Sequence, residues 1–260
     1  SGGVATLAVH LPPASSRAIF AEYAGNAEFA SSASVRLTDL TDLSRPDFEA
    51  SYVVNSASFA TGLAPGTYAT IFGSRLSGGI TKVNGLPYPD LTDGVWVTLN
   101  GEPVQLVYLS DQQINFVVPA GASGDTANIV VSTPHGTSKT VAVPLVTAAP
   151  GVFADPVSGY GAILVAGTAE TTRTRAVRAG EYLEIYCTGL GAVDAAGWTL
   201  LPVTVRLGSS RLNAAYSGLN SVFPGLYQVN VQVPQGPSGE LMLSIEIDGR
   251  RSNEVKVRVQ

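Results

Sequence analysis

The chain has 260 residues, with 15 basic and 20 acidic side chains and a formal net charge of −5. No basic stripe is present, which argues against nucleic acid as a partner. No apolar run approaches the ~18–20 residues of a membrane span. With 45% hydrophobic and 13% charged residues, the chain is a folded one. Its 28 Gly and 16 Pro punctuate runs of Val, Thr, Leu and Tyr, the composition of pleated strands joined by turns.

In chain order, residues 1–42 come first as a separate unit. Val4–Val9, Ala18–Tyr23 and Ser34–Thr38 read as strands, separated by Pro12-Pro13 and Gly25-Asn26. Three or four strands make half a sandwich, with one apolar face and two unpaired edges, and such edges recruit other strands. The polar, acidic stretch that follows, placed at 43–52, reads as a linker. The sequence opens at Ser1-Gly2-Gly3 without a signal peptide, so a secreted form would carry that signal upstream or have lost it.

The remainder is a duplication. Ala64-Pro65-Gly66 through Leu76 recurs as Arg178-Ala179-Gly180 through Leu190, with Gly66 and Gly180 lying 114 positions apart. Gln113-Ile114-Asn115-Phe116-Val117-Val118-Pro119 returns as Gln228-Val229-Asn230-Val231-Gln232-Val233-Pro234, at an offset of 115. Repeats of this kind mark two copies of one module, here 53–150 and 151–260. In the first copy, Val95 to Leu99 alternates faces. Asn100-Gly101 then supplies the positive φ that a tight hairpin turn needs. Val203–Leu207 turns likewise at Gly208-Ser209-Ser210, and later hairpins turn at Pro134-His135-Gly136 and Asp248-Gly249. In Gln228 to Val233 the valines share one face and the amides the other. Short strands spaced by turn signals describe a β-sandwich. The predicted fold is therefore all-β: tandem immunoglobulin-like sandwiches behind a partial N-terminal unit.

These motifs resemble the immunoglobulin-like TIG/IPT fold. More closely, four stretches are similar to an uncharacterised C-terminal domain of secreted proteins from soil acidobacteria. They are Asn55-Ser56-Ala57-Ser58-Phe59, Gln113 to Pro119, Ala149-Pro150-Gly151-Val152-Phe153-Ala154 and Gly225-Leu226-Tyr227-Gln228-Val229-Asn230. The resemblance covers roughly residues 53–260 and implies no catalytic residue. Residues 1–42 resemble the second half of an adhesin-type bacterial immunoglobulin-like repeat, through Ala5-Thr6-Leu7, Ala21 to Asn26 and Phe29 to Ser32.

The chemistry-bearing residues are sparse. A hydrolytic triad needs a histidine between nucleophile and acid; His10 ends a strand and His135 sits at a hairpin tip. Asp90 with Asp93, or Asp39 with Asp42 and Asp47, could approach as a glycosidase pair or hold calcium. Surface-loop carboxylates are the plainer reading, and no calcium-loop spacing supports the metal. The lone Cys187 excludes an internal disulfide and a Cys-based zinc cage, and reads as a small buried strand residue. Arg173, Arg175 and Arg178 read as a solvated loop. No cofactor or metal is expected. Among the aromatics Trp96, Trp198, Tyr88 and Tyr160, Trp96 is expected to pack and Trp198 to stand in a loop. There it is either a plug between modules or a platform for a sugar.

The function expected on this reading is a non-catalytic extracellular or cell-surface protein, structural or adhesive. One form of it is a fibre subunit joined by strand addition, with Val4, Leu7, Val9, Val35 and Leu37 as the contact between copies. The alternative is a glycan-binding module of a longer secreted protein, with Trp198 as the contact and cell-surface polysaccharide as the partner.

Overall fold

A computed structural model describes residues 18–19, 21–26, 28–34, 37–38, 45–79, 81–83 and 86–260. The chain divides into two compact units, residues Ser1–Arg45 and Pro46–Gln260. In the first, β1 (Ala18–Ile19) pairs antiparallel with β4 (Leu37–Thr38), and β2 (Glu22–Tyr23) pairs with β3 (Ser32–Ala33). Asn26 holds the turn between β2 and β3, its side-chain oxygen accepting the backbone N–H groups of Glu28 and Phe29. The expected strand Val4–Val9 lies outside the described residues.

The second unit is all-β, and among the described residues the short 3-10 turn Ala50–Tyr52 is its one helical element. Among the described residues, no helix is long and apolar enough to cross a membrane. The first sandwich contains β5 (Val53–Asn55), β6 (Tyr68–Phe72), β7 (Thr81–Lys82), β8 (Trp96–Leu99), β9 (Glu102–Pro103), β10 (Gln105–Leu109), β11 (Gln113–Val117), β12 (Thr126–Thr133), β13 (Gly136–Thr137) and β14 (Val141–Pro144). Its front sheet runs β5-β6-β11-β10-β7; its back sheet runs β13-β12-β8-β9, with β14 on the other edge of β12. Alternation fills the space between them. Ile71, Leu106, Ile114 and Phe116 from the front meet Val97, Leu99, Ile129 and Val131 from the back, all 3% exposed or less. The turn residues Asn100 and Gly101 both take positive φ, 52° and 89°, as the right-handed twist of a two-residue hairpin demands.

The segment expected to be a linker is part of this sandwich from Pro46 onward. Asp47 forms a β-bridge with Ser74, and Phe48 is 3% exposed inside the core. An aromatic side chain has more to gain from burial than from solvent, which a composition-based reading of a polar stretch does not register.

The second sandwich repeats the plan with β15 (Gly151–Val152), β16 (Ile163–Val165), β17 (Tyr182–Thr188), β18 (Thr204–Leu207), β19 (Ser210–Asn213), β20 (Tyr216–Leu219), β21 (Tyr227–Gln232), β22 (Gly239–Ile247), β23 (Arg250–Arg251) and β24 (Val255–Val259). The front sheet runs β15-β17-β21-β20 with β16 also on β17, and the back sheet runs β19-β18-β22-β23 with β24 also on β22. The registers match the sequence repeat: Phe72 lies opposite Gln113 in one copy and Tyr186 opposite Gln228 in the other.

A polar joint locks the two sandwiches together. The buried Asn55 side chain donates to Ala149 O (2.8 Å) and accepts from the N–H groups of Ala57 and Ser58. Thr188 Oγ1 accepts from Tyr68 N (2.8 Å) and donates to Gly225 O (2.7 Å). The Tyr227 hydroxyl reaches both Gly191 O (2.5 Å) and Pro65 O (3.2 Å). Backbones approach so closely here that only glycine fits. A Cβ on Gly189, at φ +78°, would stand 2.0 Å from Ala149 O, and one on Gly66 would stand 2.3 Å from the Tyr227 hydroxyl.

Candidate functional site

The front sheet of the second sandwich turns its amide face outward. Its edge strand, β20, would present free backbone groups to solvent, and the segment 194–199 covers it. Asp194 shapes that segment: its carboxylate accepts the N–H groups of Ala196 (2.9 Å) and Trp198 (3.0 Å), and its own N–H donates to Trp198 O (2.8 Å). Leu219 N then donates to Gly197 O, and Thr199 N to Ser217 O. Gly218 permits the approach, since a Cβ there would meet Gly197 O at 2.5 Å.

Trp198 is thereby fixed beside β20, in a bridge with Gly218, and its ring meets that of Tyr216 edge-on, 4.9 Å between centroids at 79°. It keeps 47% of its surface exposed. The cross-strand registers extend the row: Gly218 lies opposite Gln228, and Gln228 opposite Tyr186. One step along, Tyr216 lies opposite Asn230, and Asn230 opposite Glu184. Gln228 Nε2 donates to Asn230 Oδ1 (2.9 Å), which fixes both amides. The space beside Gly218 is taken by Gly197 O and the Tyr216 phenol, which a Cβ there would meet at 2.5 Å and 2.8 Å. Burial, with the Glu184 charge as the lesser cause, raises the Tyr186 pKa, so the phenol stays a hydrogen-bond donor at neutral pH. Exposed Val222 and Phe223 stand in the loop that follows β20.

Such a face offers an aromatic plane for C–H groups and a set of amides and phenols for hydroxyls. It contains no nucleophile held against a base. Among the described residues, no group of three or more His, Cys, Asp or Glu side chains could hold a metal ion.

The other candidates fall elsewhere. Trp96, expected to be packed, is 40% exposed. The alternation that buries Val95, Val97 and Leu99 in the core turns Trp96 outward, opposite Ser132. Tyr88 hydrogen-bonds to Tyr68 through their hydroxyls (3.2 Å), and the Tyr160 hydroxyl donates to Glu240 (2.6 Å). His135 is exposed at the β12–β13 turn, and Asp93 accepts from Thr81 Oγ1. Asp47 lies 3.9 Å from Arg75, while Asp39, Asp42 and His10 are outside the described residues. Arg175 is engaged by Glu170 and Glu181. Cys187 is fully buried, and burial raises its thiol pKa far above the ordinary range. Of the proposed contacts between copies, Val4, Leu7, Val9 and Val35 lie outside the described residues; Leu37 is placed in β4 opposite Ile19.

Sequence reasoning missed the joint, although the motifs behind the family resemblance supply most of it: Asn55, Ala149, Gly225 and Tyr227. It also missed Tyr216, whose signal was present as an aromatic two residues before Gly218 on an edge strand.

No family model and no curated protein matches the chain. Among solved structures it is similar to SGBP-B of the Bacteroides ovatus mixed-linkage glucan utilization locus, solved in complex with a mixed-linkage heptasaccharide. That match has 15% identity and a TM-score of 0.33, and covers 95% of this chain and 53% of that one. The chain thus spans about half the length of that protein. It is also similar to FdeC, an Escherichia coli adhesin, at 11% identity and a TM-score of 0.26, over 83% of this chain and 65% of that one. Domains 5-6 of the S-layer protein SbsC match at 15% identity and a TM-score of 0.28, over 82% of this chain and 98% of theirs.

Proposed function

We propose that the chain is a non-catalytic, extracellular adhesive protein that holds a neutral polysaccharide against the front face of its second sandwich. The observation that carries this reading is Trp198. A large aromatic ring is kept half in solvent on a loop whose backbone is fixed by hydrogen bonds, edge-on to Tyr216 and beside a hydrogen-bonded pair of amides. An ordered aromatic contributes contact area at little conformational cost, and such anchors dominate binding energy. The locked joint supports the same reading, because it fixes where that face points relative to the first sandwich.

The test is retardation of the protein in gels containing soluble neutral polysaccharides. It is paired with fluorescence quenching in a Trp96→Phe background, so that Trp198 alone reports. Trp198→Ala should weaken binding at least ~10-fold, which corresponds to about 1.4 kcal/mol. Retardation that Trp198→Ala leaves unchanged sinks the proposal. A second reading, self-association into a fibre through residues 1–42, is favoured by the β2–β3 ladder, whose four side chains are all exposed. Sedimentation of the purified chain as a monomer at high concentration would remove it.

A further inference from the structure

The first sandwich carries a related platform, with β7 in place of the Trp198 segment on its edge strand β10. Phe72 stands where Tyr186 stands in the second, opposite Gln113 in place of Gln228. Tyr108 lies opposite Asn115, as Tyr216 lies opposite Asn230. The amide pair is duplicated too, with Gln113 Nε2 donating to Asn115 Oδ1 at 2.8 Å. A β-bulge between Leu106 and Tyr108 re-aims Tyr108, a device found next to binding sites. In the second sandwich the Trp198 segment pairs with the edge strand, and in the first β7 does. Among the described residues, Phe72, Tyr108, Ser110, Asp111, Gln112 and Gln113 line a depression of about 490 Å³ there. Its neighbour, of about 350 Å³, shares Phe72 and Gln112 and adds Tyr52.

A second aromatic is placed there at a conformational cost. Phe59 takes φ +57° and stacks on Phe72 with 6.4 Å between ring centroids. The left-handed region is unfavourable for a bulky side chain. Asn55 sustains it by accepting Phe59 N at its carbonyl and the N–H groups of Ala57 and Ser58 at its side chain. The result is a 63% exposed ring held in one position.

Two occupants compete for this pole: another sandwich, as at the equivalent pole of the second copy, or a small polar ligand. The first is disfavoured by the residues themselves. Docking at the second copy requires Gly189 and Gly191, where a Cβ would stand 2.0 Å and 2.2 Å from backbone oxygens of Ala149 and Thr147. The equivalent positions in the first copy are Arg75, at φ +58°, and Ser77. Side chains at these two positions bar the approach that Ala149 and Thr147 make in the second copy, and the backbone that does reach this pole is the chain's own Asp47, against Gly73. The lining among the described residues is aromatic, amide and hydroxyl, with the Asp111 carboxylate. Polar groups few in number among aromatic walls fix the orientation of a ligand, and this set matches sugar hydroxyls and ring C–H faces.

We infer that the front face of the first sandwich is a second saccharide site, taking a neutral oligosaccharide between Phe72, Tyr108 and the Gln112 and Gln113 amides. It shares the chemistry of the Trp198 reading but none of its residues. The test is amide chemical-shift mapping of the full chain with three probes: cellohexaose, laminarihexaose and xylohexaose. With at least one probe, two separate groups of shifts are expected, one across 70–73 and 108–113, the other across 184–198 and 216–230. Phe72→Ala should erase the first group and spare the second, and Trp198→Ala the reverse, each weakening its own site at least tenfold. If Phe72→Ala melts early, Tyr52→Ala, at a 56% exposed position, replaces it. Shifts confined to the second sandwich overturn this inference and leave the Trp198 site standing. Shifts confined to the first do the opposite, and no shift with any of the three probes overturns both.

Discussion

At the scale of single residues, the joint depends on atoms that a sequence presents only as small or polar. Tyr227 is 1% exposed, yet its hydroxyl serves two carbonyls, Gly191 O and Pro65 O. Tyr227→Phe keeps the ring and leaves both carbonyls without that donor, at a cost of about 1–3 kcal/mol. For a domain of this size that lowers the melting temperature by roughly 2–4 °C per kcal/mol, a shift that differential scanning fluorimetry resolves. An unchanged melting temperature would show that water replaces the hydroxyl. Gly66, Gly225 and Tyr227 were visible in the sequence as motif residues. Their reason was not, because it lies in partners as much as 162 positions away, and spacing along a chain carries no information about such contacts.

At the scale of elements, much was legible. Asn100-Gly101 announced its hairpin, and the alternation in Gln228 to Val233 put the valines at 1% exposure or less and the amides outside. The same rule, applied to Val95 to Leu99, would have turned Trp96 outward. Lying inside a strand does not by itself bury a residue, since parity decides which face it takes. Charge pairing across the back sheet was not legible, because Arg206 and Arg211 meet Glu246 only once β18, β19 and β22 align. Hydrogen bonding from Arg206, then the surrounding guanidinium charges, hold the Glu246 carboxyl below the usual carboxylate range. A depressed folded pKa means that this contribution to stability is present above the unfolded value of ~4.3 and is lost as pH falls through the lower folded one. Melting temperature should therefore stay level from pH 7 to about 5 and drop below about pH 4. Glu246→Gln should flatten part of that drop, and a variant with the parental acid profile would exclude the Arg206–Arg211–Glu246 cluster as its source.

At the scale of the second unit, two duplicated sandwiches are joined by close backbone approach at Gly189 and Gly191 together with the side-chain hydrogen bonds of Asn55, Thr188 and Tyr227. Gly189→Ala places a methyl 2.0 Å from Ala149 O, so the joint must open while each hydrophobic core stays intact. Calorimetry should then resolve one cooperative transition into two, with the parental enthalpy roughly conserved. A single transition at a lower temperature would instead mean that the damage spreads into a core. The 114- and 115-residue offsets foretold two modules, but spacing along the chain could not foretell that Asn55, Ala149, Gly225 and Tyr227 fasten them together.

The copies also cannot trade places. Gly189 and Gly191 admit the backbone of Ala149 and Thr147, whereas Arg75 and Ser77 carry side chains at the equivalent positions. A gene carrying the modules in reverse order would encode the same two cores and lose the lock.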